Sequence, residues 1–150
     1  MKEKQRIHNS AVHYLSIREH SQRELGQKLH KKGFDSDLVQ EVIEELTKAN
    51  LQSEQRFAES FIRSRVNKGH GLNRISQELQ QRGIHREMIY QALQEEPVDW
   101  FELAYQVKIR RFGIALPHDT KERARQMRFL YTRGFNHEQI NHALSEQEDE

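Results

Sequence analysis

Apolar residues along this chain recur at three- and four-residue intervals, the spacing that lines one face of an α-helix. Val39, Val42, Ile43 and Leu46 make one such stripe. Ile7, Ala11, Tyr14 and Leu15 make another, and Phe57, Phe61, Ile62 and Val66 a third. Trp100, Phe101, Ala104, Val107 and Ile109 follow the same rule further on. Seven glycines and two prolines (Pro97, Pro117) are all that interrupt a sequence dominated by Glu, Gln, Arg, Leu and Lys, which predicts an all-α chain.

The stripes belong to a repeat. Leu29-His30-Lys31-Lys32-Gly33-Phe34, Leu79-Gln80-Gln81-Arg82-Gly83-Ile84 and Leu130-Tyr131-Thr132-Arg133-Gly134-Phe135 align, with offsets of 50 and then 51 residues. Each continues to an acid (Asp37, Glu87, Glu138), a β-branched residue (Val39, Ile89, Ile140) and an apolar pair (Val42-Ile43, Ala92-Leu93, Ala143-Leu144). A cation before each glycine suits the negative end of a helix, and the glycine accepts the left-handed backbone that ends one. Asp35 and Asn136 are good N-caps for the helix that follows; His85 is a poorer one. Ser21 and Glu24 have the spacing of a capping box. Gly69-His70-Gly71 fills the corresponding turn of the second repeat, and a longer loop from Gly113 to Asp119 that of the third. The expectation is three tandem three-helix repeats, 1–50, 51–97 and 98–146, with an acidic tail at 147–150.

Composition sharpens this. With 35% apolar and 31% charged residues in 150, one thick core is not expected, and thin helical layers in an elongated, curved array fit better. Cysteine is absent, which removes disulfides, thiol nucleophiles and thiolate metal sites. No apolar run approaches the ~20 residues of a membrane helix, and no signal-peptide core follows Met1, so a cytoplasmic monomer is expected. The net charge of +1 conceals a contrast. Between Lys108 and Arg133 eight Lys/Arg face only Asp119 and Glu122, whereas Glu138 to Glu150 carries five acids and no Lys/Arg.

Catalytic patterns are missing. There is no phosphate-binding loop and no nucleophile elbow. His137-Glu138 and His142 resemble a zinc-protease motif, but histidines five apart lie about 140° round a helix and cannot share a metal. Neither an enzyme nor a metal or other cofactor is expected.

Several stretches resemble the RecX family. They are His20-Ser21-Gln22-Arg23-Glu24-Leu25 with Leu29 and Lys32-Gly33, then Arg56-Phe57-Ala58-Glu59-Ser60-Phe61-Ile62 with Arg65, Lys68-Gly69 and Gly71. Ile75-Ser76-Gln77-Glu78-Leu79 leading to Arg82-Gly83-Ile84 completes them. Asn50-Leu51-Gln52-Ser53-Glu54 departs from the family's usual Gly-Tyr-Leu and aspartate, though Ser53 can still cap the next helix. The resemblance implies a non-enzymatic regulator that lies in the groove of the RecA filament on single-stranded DNA. It would inhibit recombinase, ATPase and co-protease activities and so modulate recombinational repair and the SOS response.

The residues offered for such contacts are the cations near the repeat turns. In repeat two they are Arg63, Arg65, Lys68 and Arg74; in repeat three, Lys108, Arg110, Arg111, Arg123, Arg125 and Arg128. Most aromatics, including Phe57, Phe61, Trp100, Phe101 and Tyr105, read as core. Only Phe129 and Tyr131 are candidates for stacking on bases, so any nucleic-acid contact should be weak and sequence-independent. Two other classes remain open: tandem helix-turn-helix DNA binding and a generic helical adaptor. Acids at the starts of the third helices (Asp37, Glu87, Glu138) count against the first.

Overall fold

A computed structural model describes residues 2–147, which contain nine α-helices and no strand. They are α1 (Glu3–Ile17), α2 (Gln22–Lys31), α3 (Ser36–Lys48), α4 (Glu54–Asn67), α5 (Leu72–Gln81), α6 (Arg86–Glu95), α7 (Trp100–Phe112), α8 (Thr120–Thr132) and α9 (His137–Ala143). The acidic tail inferred at 147–150 lies, beyond Gln147, outside the described residues.

Helices begin where the sequence supplies an acceptor for their first amides. Ser21 and Glu24 form the expected capping box, Asp35 accepts from the Leu38 amide, and Asn136 forms a second box with Gln139. The Ser53 hydroxyl accepts from the Arg56 amide at 3.1 Å, so the departure from the family pattern costs α4 no cap. Asp99 and Asp119 cap α7 and α8 in the same way. At the other ends Gly33, Gly83 and Gly134 take φ of +84°, +88° and +107°. After Gly83 and Gly134 the apolar Ile84 and Phe135 fold back and donate to the carbonyls of Leu79 and Leu130, five residues earlier.

The stripes are buried or half-buried with one exception. Ile7, Ala11, Leu25, Leu29, Val39, Val42, Ile43 and Leu46 form the core of α1–α3, with Tyr14 and Leu15 packed at its margin. Ala104, Val107, Leu130, Phe135, Ile140, Ala143 and Leu144 form that of α7–α9. Each fully buried aliphatic side chain contributes about 1.5–3 kcal/mol. The exception is Phe101, read as core but 41% exposed. It sits at the rim of α7, its ring edge against His142 of α9, while Lys108 holds a buried place on the helix's inner face.

By contacts the chain forms two compact units, and they do not follow the repeats. One holds α1–α3, the start of α4 up to Phe61, and Leu79–Glu95. The other holds Ile62–Glu78 and everything from Glu96 onward. The middle repeat is thus divided, and local hydrogen bonds explain how. In the first unit Arg23, at the start of α2, donates from Nη1 to the Gln81 carbonyl (3.0 Å) and lies against Gly83. In the second unit Arg74, 51 residues later and at the start of α5, lies against Gly134. The first turn of each of these helices therefore docks on the glycine turn of the next repeat.

The second docking is the closer. Gly71 precedes α5 and has no side chain to cap it. Carbonyls of the turn after α8 take that role: the Gly71 amide donates to the Arg133 oxygen (2.7 Å) and the Asn73 amide to the Gly134 oxygen (3.0 Å). A Cβ on Gly71 would fall 2.5 Å from the Gly134 carbonyl, and one on Gly134 would fall 2.5 Å from Arg74 Cβ. Gly33 has the same backbone conformation with nothing within 4 Å. Gly33→Ala is therefore expected to cost about 1–2 kcal/mol, the penalty of the left-handed backbone alone. Gly134→Ala adds overpacking of about 1–3 kcal/mol. Urea midpoints of the two variants measure the difference, and equal losses would contradict a tight docking at Gly134.

Candidate functional site

The ten cations singled out from the sequence are not equivalent once folded. Arg65 and Arg74 converge on one carboxylate: Arg65 Nε lies 3.2 Å from Glu78 Oε2, and Arg74 Nε 3.2 Å from Oε1. Burial alone would raise the pKa of Glu78, but the two guanidiniums outweigh it and hold the carboxyl below its ordinary value. His70 is nearly buried beside them, Nδ1 3.7 Å from Glu78 Oε1 and without a hydrogen bond. Burial, and then the charge of Arg74, push its pKa below the ordinary imidazole value of 6.5. Arg65 and Arg74 thus serve as internal partners of Glu78.

Lys108 is a correction. Placed among the surface cations by its neighbours in sequence, it is wholly buried. Its Nζ donates to the carbonyls of Gly113 and Ala115, both at 2.8 Å, and burial lowers its pKa. A cation withdrawn from water needs such acceptors, and these two hold the loop after α7 in place while Ile114 and Leu116 stay exposed. Lys108 therefore presents no charge to a partner. Arg123 is also turned inward, donating to the Leu144 carbonyl and Asn141 Oδ1 at 3.4 Å each, where it closes the end of α9. Arg63 pairs with Glu96.

The exposed remainder is Lys68, Arg110, Arg111, Arg125 and Arg128, all in the second compact unit. Arg125 shares Glu122 at 2.7 Å. Arg110, Arg111 and Arg128 have no carboxylate partner among the described residues. An aromatic ladder, unread in the sequence, sets several of these positions. Arg133 lies 4.8 Å from the Phe129 ring centre and Arg111 5.3 Å from it. Arg125 lies 5.2 Å from the Phe112 centre, and Phe112 meets Phe129 edge-on at 5.3 Å. Each such contact is worth roughly 0.5–1 kcal/mol at an exposed site. Phe129 is consequently covered by two guanidiniums and unavailable to a base; Tyr131, 72% exposed, remains open. The signal for the ladder was present as Arg125, Phe129 and Arg133 four apart along α8 and its cap, but α7 had to be folded against α8 to add Arg111 and Phe112.

No group of three or more His, Asp or Glu residues is placed to hold a metal among the described residues. No helix there is long and apolar enough to cross a membrane.

These features define a class, a protein of three tandem three-helix domains carrying an arginine-rich surface. Models of the first, second and third three-helix domains of RecX match residues 8–46, 53–93 and 98–144. The regulatory protein RecX of Halorhodospira halophila is 44% identical over 139 residues, covering 93% of this chain and 86% of that one. That of Vibrio vulnificus is 41% identical, covering 93% and 91%. A crystal structure of RecX from Lactobacillus salivarius superposes with a TM-score of 0.75 at 24% identity, covering 93% and 92%. The chain belongs to the RecX family.

Two outcomes follow from Lys108 and His70. Lys108→Met should leave the helices intact but speed amide hydrogen exchange from Ile114 to Leu116, because the tether to Gly113 and Ala115 is gone. Unchanged exchange there would show that the loop does not depend on it. For His70 the folded pKa lies below the unfolded one, so the unfolded chain binds the proton first. Stability is therefore lost as pH falls below about 6.5. Relative to His70→Gln, the wild type should lose urea resistance between pH 7.5 and 5, and parallel curves would count against the assignment.

Proposed function

We propose that this chain is a non-enzymatic, cofactor-free regulator that binds the RecA filament on single-stranded DNA and inhibits its recombinase, ATPase and co-protease activities. It thereby modulates recombinational repair and the SOS response, as a cytoplasmic monomer. The support begins with relatives named regulatory protein RecX that match almost the whole chain. We take residues 1–50, 51–97 and 98–146 as its three domains.

The observation that carries the contact face is the exposure of Arg110, Arg111 and Arg128 without carboxylate partners among the described residues, beside Lys68 and Arg125. A guanidinium left without an internal anion keeps its donors for an external one, and it matches carboxylate or phosphate oxygens in pairs. These residues form the proposed face toward the filament. Arg63, Arg65 and Arg74, paired with Glu96 and Glu78, and Arg123, which closes the end of α9, have their donors engaged inside the chain, and Lys108 takes no part. Direct contact with nucleic acid is weak and independent of sequence, since among the described residues of repeat three the exposed aromatics are Tyr131 and Phe101, and Phe101 lies against His142.

The test is RecA-catalysed ATP hydrolysis on single-stranded DNA with this protein added below one copy per recombinase. Strong inhibition is expected. The double variant Arg110→Glu, Arg128→Glu should need at least about tenfold more protein at low salt, a gap that narrows as rising salt screens the exposed charges. No inhibition at equimolar protein, with helicity confirmed by circular dichroism, would overturn the reading.

A further inference from the structure

The second compact unit contains a recess of about 230 Å3 whose rim is formed by Lys68, Arg110, Arg111 and Arg133 and whose floor includes Val107 and Phe129. Four cations from three elements converge here: the end of α4, the last turn of α7 and the turn after α8. No acidic residue among those described lines it. Like charges so close repel one another, and the fold holds them by other means. Arg111 and Arg133 rest on the Phe129 ring, and Arg133 Nη1 donates to the Lys68 carbonyl at 3.1 Å. Gly69 completes the wall, because a Cβ there would lie 2.9 Å from Val107.

We infer that this recess is a binding site for a phosphoryl group. A carboxylate offers two oxygens in one plane, which a single guanidinium satisfies. A phosphoryl group offers oxygens in several directions and up to two charges, which suits cations arriving from three sides. The volume falls below the ~300 Å3 at which pockets for drug-sized ligands begin, so it takes a group of few atoms. Stacking on Phe129 occupies the ring-facing side of two guanidiniums and leaves N–H donors at their edges, the part that binds oxygen. The group can come from a nucleic-acid strand or from a free phosphate compound, and the chemistry of the recess is the same for both. The site shares Lys68, Arg110 and Arg111 with the proposed filament face but stands without it.

The test follows the arginine side-chain N–H signals of the full chain by NMR as sodium pyrophosphate is added at constant ionic strength. A short oligothymidylate is added in a parallel titration. Saturable shifts of the Arg110 and Arg111 signals with either probe support the site. Saturation by pyrophosphate alone assigns it to free phosphate compounds, and saturation by the oligomer alone to strand phosphates. Arg110→Gln with Arg111→Gln, followed at the remaining Arg133 signal, should weaken binding at least about tenfold, the loss expected when charge-assisted hydrogen bonds are removed. Arg86→Gln, an exposed arginine of the other unit, should leave it unchanged. Shifts that rise linearly without saturating, or equal weakening by Arg86→Gln, would overturn the site in favour of general screening. Glutarate binding as tightly as pyrophosphate would overturn the phosphoryl assignment in favour of an acidic peptide. No recombinase is present, so this result and that of the filament assay are separable.

Discussion

Short helices are governed by their ends. In helices of seven to fifteen residues, a large share of the backbone amides and carbonyls lacks a partner within the helix, and each must find one elsewhere. Here most first turns are capped by their own Ser, Asp or Asn, and the chain needs only local sequence to form them. The start of α5 is different. Its cap position is a glycine, and its donors go to the carbonyls of a turn sixty residues away in sequence. That arrangement requires two bare glycines face to face, and it carries the α4–α5 turn onto α8, where Lys68 and Gly69 meet Arg133.

Charge at the surface is likewise decided by the fold and not by count. The segment from Lys108 to Arg133 is strongly basic, yet two of its cations serve the interior: Lys108 ties down a loop and Arg123 closes a helix. Others stack on phenylalanine. Stacking and ion pairing differ in what they leave behind. An arginine paired with a carboxylate has its donors engaged and its charge partly offset, as Arg65 and Arg74 have by sharing Glu78. One resting on a ring keeps its charge while losing its freedom, and so faces an incoming anion with less entropy to lose.

Much of this was legible beforehand. Helix positions, the three repeats, the glycine stops and the Ser21, Asp35 and Asn136 caps follow from periodicity and local hydrogen bonding, which act over a few residues. The contact residues were legible only as a set of cations. Whether a lysine at 108 faces water or two carbonyls depends on a loop of no fixed pattern, and Phe101 left the core for a rim position that a helical wheel cannot distinguish. The partition of the middle repeat had no local signal at all, since it rests on turns of neighbouring repeats.

That partition bears on how such a chain can change length. A domain that satisfies its own backbone can be duplicated, lost or exchanged as a module. The middle one cannot: the front of α5 is finished by the domain after it, and its closing turn is held by the one before. Removing the third domain would leave Gly71 and Asn73 with exposed donors and no capping side chain, and appending a copy would require another glycine at that place. The middle domain is therefore a repeat in sequence but not a module in structure, its two ends finished by its neighbours.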